Sequence, residues 1–156
     1  MPVMIQLARA ARPTEAAVGA LSALCSAAAR YVCGGSLFAA DGASVYHNGS
    51  ADLIDAELEG EHADVLLVGL AGRFSTRDYV ARLLGALTPK VVVPTHHDAF
   101  FAPLEWGVHL LPNIDLDGFA SEAKRVAPKA RVITPGYGEA LAVPAGKAED
   151  AALLDS

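Results

Sequence analysis

Between residues 63 and 94 the apolar positions change period twice. Ala63-Asp64-Val65-Leu66-Leu67-Val68-Gly69-Leu70 is continuously apolar after its acidic second position, the pattern of a strand covered on both faces. Ser75, with Asp78 three residues on, predicts a capping box. Tyr79, Val80, Leu83, Leu84 and Leu87 then recur at helical spacing up to Pro89, so a helix with defined ends is expected. Val91-Val92-Val93-Pro94 resumes the buried-strand pattern. The three segments form one strand, helix, strand unit with parallel pairing and a right-handed crossover.

Upstream, Tyr31 to Ala40 reads as a strand, Asp41-Gly42 as a tight turn and Ala43 to His47 as its partner, because Asp-Gly between apolar runs favours a two-residue hairpin connection. His47-Asn48-Gly49-Ser50 then breaks the strand. A short helix is expected over 51–59 with Leu53, Ile54 and Leu58 inward. Downstream, an irregular aromatic stretch runs through Trp106, and a helix from about Asp115 to Ala127 ends at Pro128. Arg131 to Thr134, a Pro135-Gly136 turn and Glu139 to Val143 complete the ordered part. Residues 14 to 30 favour helix, since Thr14 can cap it and Val18, Leu21, Cys25 and Ala28 share a face. The chain thus divides into an Ala-rich helical segment over 1–30, a main domain over 31–144 and a frayed tail over 145–156.

Composition narrows the class. The 156 residues include 31 alanines, so the 53% of hydrophobic positions overstates the larger apolar side chains that drive burial. A net charge of -6 without a basic cluster removes the footprint of a nucleic-acid binder and disfavours anionic membranes. Ala16 to Ala29 is too short an uncharged run to cross a bilayer. Arg9 and Arg12 precede it as in a secretory signal, but Glu15 interrupts that flank; a cytoplasmic chain is expected. Cys25 and Cys33 lack the spacing of a zinc site or a disulfide framework and read as small core residues.

In a parallel sheet, function collects beyond the carboxyl ends of the strands. Those ends carry His47-Asn48-Gly49-Ser50-Ala51-Asp52, Gly69-Leu70-Ala71-Gly72 and Pro94-Thr95-His96-His97-Asp98. Two of the three therefore offer imidazole and carboxylate, the donors suited to zinc, manganese or iron. Gly69 to Gly72 lacks the Lys-Ser/Thr of a phosphate loop and reads as a tight turn. Ser50 lacks a Gly-x-Ser-x-Gly elbow, which argues against a nucleophile. His62 and His109 lie outside the rims. Phe100, Phe101, Leu104 and Trp106 either wall a pocket beside the rim or pack in the core.

The ordered series of strand, Asp-Gly, strand, Gly-Ser, Ala-Asp-Val-Leu-Leu-Val and Pro-Lys-Val-Val-Val-Pro-Thr-His resembles the C-terminal half of a metallo-β-lactamase-fold hydrolase, over about residues 31 to 143. The resemblance implies an α/β fold, half of a four-layer αββα sandwich, built from a mixed sheet with a β-hairpin and βαβ units. It also implies a metal pair that activates water at one sheet edge. The family's last histidine ligand follows a buried strand and a proline, and the matching residue here is His96. His97, Asp98 and Asp52 are the further candidate metal ligands, with Asp52 two residues beyond the family's bridging aspartate.

This chain departs from that pattern in its donors. Family members carry His-x-His-x-Asp-His in the first half, and the chain has no His-x-His and no histidine before His47. Ser50 occupies the position of the bridging aspartate, and a neutral hydroxyl bridges divalent metals poorly. The expected function is a metal-dependent hydrolase acting on an ester, lactone, amide or phosphodiester in a small-molecule substrate. This chain supplies its second half and is inactive alone. The alternative is a catalytically inactive remnant serving as an oligomerisation or binding module. In either case one face of the remaining sheet is expected to be apolar, and to be covered by a second copy, by a separately encoded first half or by the helix of residues 14 to 30 folded across it, or else to aggregate.

Overall fold

A computed structural model describes residues 3–6, 29–32, 35–40, 43–49, 52–99 and 101–143. Its elements in chain order are β1 (Val3–Gln6), β2 (Ala29–Val32), β3 (Gly35–Ala40), β4 (Ala43–Asn48), α1 (Asp55–Leu58) and β5 (Val65–Gly69). These are followed by α2 (Tyr79–Leu87), β6 (Val91–Thr95), α3 (Leu116–Val126), β7 (Arg131–Val132) and β8 (Ala140–Val143). The expected mixed α/β architecture is observed. Six strands form one sheet in the order β2-β3-β4-β5-β6-β7, antiparallel from β2 to β4 and parallel from β4 to β7, and β1 pairs with β8 in a separate ribbon.

The hairpin of β3 and β4 forms as expected, with Ala40 opposite Ala43. The single strand expected over 31–40 is instead two antiparallel strands, with Val32 opposite Gly35. Cys33 and Gly34 fall between them, and a glycine pair inside an apolar run is itself a turn signal. The N-terminal helix expected over 14–30 lies outside the described residues except at Ala29 and Arg30, which belong to β2. The Asp41-Gly42 turn, Ser50, Phe100, both cysteines and the tail also lie outside them.

Strand alternation gives the central sheet two apolar faces. Tyr46, Leu66, Val68 and Val92 point to one side, where α2 lays down Tyr79, Val80, Leu83, Leu84 and Leu87 and α3 adds Phe119 and Ala123. Leu53 and Leu58 join this core, whereas Ile54 is 53% exposed, contrary to the expected inward position. Only four residues around it are helical, too short a helix to carry an apolar stripe through three positions. The Ser75 capping box does not form either: Ser75 closes a 3₁₀ turn, and α2 starts after Asp78, which adopts φ 51 and makes no side-chain cap bond.

Ala43, Val45, Val65, Leu67, Val91 and Val93 form the opposite face. Each is at most 9% exposed, with Ile133 and the β8 residue Leu141 packed against the cluster. These six positions of β4, β5 and β6 are therefore buried.

Asp64 locks the register of the parallel strands at their amino ends. Its Oδ2 accepts the Ser44 backbone N–H at 2.8 Å and the Ser44 hydroxyl at 3.1 Å, and its Oδ1 accepts Lys90 Nζ at 2.7 Å. The Asp64 carbonyl takes the N–H groups of both Lys90 and Val91 at 3.0 Å. Burial alone would raise the carboxyl's pKa, but the bonds from Lys90 and Ser44 outweigh it and hold the group below the usual carboxylate range. Replacing Asp64 by alanine strips three hydrogen bonds from a buried position and is expected to cost about 3 kcal/mol. Lys90→Ala, whose side chain is 55% exposed, should cost less than about 1 kcal/mol. Urea unfolding of the two variants checks the ratio.

Candidate functional site

The parallel register sets Asn48 beside Val68 and Gly69 beside Thr95 where β4, β5 and β6 end, with His47 beside Leu67 one row behind Asn48. Gly69 is required by the approach of its neighbour: a Cβ there would stand 2.9 Å from the Asn48 carbonyl oxygen. The loops leaving this rim are tied to one another by backbone bonds. Leu70 and Ala71 donate to the carbonyls of Thr95 and His96 at 3.0 and 3.1 Å, and Leu111 donates to the carbonyl of His97 at 2.9 Å. Asp98 pairs in an isolated antiparallel bridge with Leu110. Gly69 to Gly72 forms the expected tight turn, with Gly72 at φ 81 and the Arg73 N–H bonded to the Leu70 carbonyl.

Polar side chains buried at this rim lack partners. Asn48 Oδ1, Thr95 Oγ1 and His97 Nδ1 are buried without a hydrogen bond, and among the described residues no other side-chain atom is so identified. Each such atom costs about 1 to 3 kcal/mol when nothing answers it, so its natural occupants are an ordered water, an ion or a ligand. By alternation Asn48 faces the helix side, where its Nδ2 donates to the Tyr79 hydroxyl at 3.0 Å. Burial pushes the Tyr79 hydroxyl up to about 12 despite that bond. Thr95 faces the opposite side, with Val91 and Val93.

The four residues singled out as metal ligands are placed unequally. His96 is exposed, and its φ of 49 ends β6. The alternation that would have turned His97 away from it therefore stops there. His97 is half-buried, and burial lowers its pKa against the opposing effects of the Asp98 charge and a Pro94 backbone hydrogen bond. Its Nδ1 is buried with no hydrogen-bond partner among the described residues. Asp98 accepts the Tyr137 hydroxyl at 2.6 Å, and Asp52 accepts its neighbour Leu53's N–H at 3.0 Å.

Among the described residues no three His, Cys, Asp or Glu side chains gather closely enough to hold a metal ion. A catalytic metal typically takes three protein ligands. The described residues therefore fit one imidazole donor and not a complete centre. His47, half-buried at the end of β4, is also held below the usual histidine range by burial. His62 bonds Thr88 at 3.1 Å, and His109 meets the Trp106 ring edge-on. Phe101 and Trp106 are 89% and 68% exposed, which removes core packing as their role.

Asn48, Thr95 and Tyr137 are not among the residues that the sequence singles out; the first two sit inside the strand-end motifs. Tyr137 lies 39 residues from Asp98, and no local pattern joins them.

Among solved structures, the chain is similar to the metallo-beta-lactamase fold protein YhfI from Bacillus subtilis, with a TM-score of 0.45 and 16% sequence identity over 69% of this chain and 43% of that one. It spans less than half the length of that structure. Neither a protein-family model nor a curated protein matches it. Among the described residues, no helix is long and apolar enough to cross a membrane.

The two depressed histidines give a signed prediction. Between their folded-state values and 6.5 the unfolded chain binds protons that the folded chain does not. The melting temperature should therefore fall as pH is lowered through that window and stay flat above about pH 7. The double variant His47→Gln, His97→Gln should flatten the slope in thermal melts.

Proposed function

We propose that this chain is the second half of a metallo-β-lactamase-like αββα sandwich and that the assembled protein is a metal-dependent hydrolase. The reading is supported by the ordered motifs from the hairpin to Pro94-Thr95-His96 and by the strand order that brings their ends to one rim. The observation that carries it is His97: a half-buried imidazole whose Nδ1 has no partner among the described residues, at the carboxyl end of a parallel strand. A zinc, manganese or iron ion supplies, when bound, a lowered pKa for water and a polarised scissile bond. His97 would donate to it. His96 lies one residue away, on the solvent side.

Asp98 and Asp52 each hold a hydrogen bond on one carboxylate oxygen, from Tyr137 and Leu53, which is compatible with metal ligation. The remaining donors come from a first half supplied by another chain or another copy, and the chain alone is inactive.

Equilibrium dialysis of the full chain against zinc, followed by elemental analysis, tests the proposal. Weak zinc binding, of the strength a single imidazole donor allows, that His97→Ala removes and His96→Ala largely keeps is the expected result. Zinc retained at the same level in His97→Ala would contradict it.

A second reading, a binding or oligomerisation module without chemistry, is favoured by one observation. Phe101, Trp106, Val108 and Leu110 expose 89%, 68%, 44% and 43% of their surface within ten residues beside the rim. If that strip joins two copies, sedimentation should give a dimer that Phe101→Ser with Trp106→Ser returns to monomer. A monomer at every concentration rules this reading out.

A further inference from the structure

The six-stranded sheet ends at β7, and among the described residues no strand lies beyond it. Arg131 and Ile133 donate their N–H groups to the carbonyls of Lys90 and Val92 at 2.9 Å, toward β6. Successive backbone groups of a strand point to opposite sides, so the N–H and C=O of Val132 face the open edge. Such an edge is a template for a further strand.

A groove of about 530 Å³ runs along that edge, between residues 130–133 and the outer side of α3. Asp117, Ala120, Ser121 and Lys124 form its helical wall, and their i, i+3, i+4, i+7 spacing puts them in one stripe. Asp117 and Lys124 are exposed and stand about 10 Å apart along the helix axis. Neither forms an ion pair with a described residue. The chain returns from α3 to β7 through a turn that Ala130 N–H closes on the Ala127 carbonyl at 3.0 Å. Lys124 therefore lies toward the start of β7 and Asp117 toward its end.

Stripe and strand call for the same neighbour. An antiparallel strand centred on Val132 exchanges two hydrogen bonds with it, one in each direction. If that strand is β7 of a second copy, a two-fold axis passes between the two Val132 residues, perpendicular to the sheet, and sets a second α3 beside the first and antiparallel to it. Asp117 of each copy then meets Lys124 of the other, while Ala120 and Ser121 let the helices approach closely at the axis. A parallel arrangement would set Asp117 against Asp117 and Lys124 against Lys124. An unrelated strand would satisfy the edge and leave the charges unmatched.

We infer that β7 and α3 form the two-fold interface of a homodimer in which two sheets join into one. The inference stands apart from the hydrolase reading: antiparallel pairing sends the two carboxyl-end rims in opposite directions, so the second copy leaves both rims as they are. It also uses none of the exposed strip around Phe101 and Trp106.

Sedimentation velocity of the full chain over a concentration series tests it. The expected result is a reversible dimer that Lys124→Glu and Asp117→Lys each weaken at least about tenfold, since each change reverses one partner in both symmetric ion pairs. Mixing these two variants in equal amounts should restore association, because every anion then faces a cation again. Val132→Pro removes the outward N–H and neither bond to β6, and it should weaken the dimer as strongly. Phe101→Ser with Trp106→Ser should leave it unchanged. A monomer at every concentration, a dimer indifferent to the charge reversals or to Val132→Pro, or one lost with Phe101→Ser and Trp106→Ser would overturn the inference. So would a mixture that associates no better than its components.

Discussion

The parallel register of β4, β5 and β6 hangs on one buried carboxylate. Asp64 binds Ser44 through two bonds and Lys90 through one, while its backbone carbonyl receives the start of β6. Parallel strands cannot be aligned by a short hairpin, since their connections cross over a whole helix. A slip of one residue would exchange the two faces of a strand. Clamping all three strands at their amino ends sets which residues emerge together at the carboxyl ends, roughly five residues later at about 3.3 Å each.

What emerges there is polar, partly buried and incompletely bonded. At the rim the strand ladders end, at Asn48, Gly69 and Thr95. Asn48, Thr95 and His97 are caught in that margin. Burial disfavours the charged form of His97 more than Asp98 and Pro94 favour it, which lowers its pKa.

Much of this was legible in the sequence where local pattern carries the signal. Val65 to Gly69 and Val91 to Pro94 were continuous apolar runs, Tyr79 to Leu87 kept a helical period, and all three formed as read. Local pattern misled where two signals competed. The apolar run from Tyr31 outweighed the Gly34-Gly35 turn, and the Ser75 to Asp78 spacing imitated a cap although Asp78 pairs with Arg77 and starts the helix itself. Contacts across long separations were not readable at all. Asp64 meets Ser44 and Lys90 across 20 and 26 residues, and the cover over Val65 and Val93 includes Leu141 from the far end of the chain. The rim was located from strand order alone. Which histidine turns inward depended on a single positive φ at His96 that nothing in the sequence announces.

The central claim is that His97 offers a free imidazole nitrogen to a partner that the described residues do not provide. Nitrogen-detected NMR of the histidine rings in the full chain, recorded near neutral pH before and after adding zinc, tests it most directly. The account predicts a neutral His97 whose Nδ1 resonance moves on zinc addition more than that of any other histidine. A protonated His97, or an Nδ1 that zinc leaves unmoved while His62 or His109 responds, would contradict it.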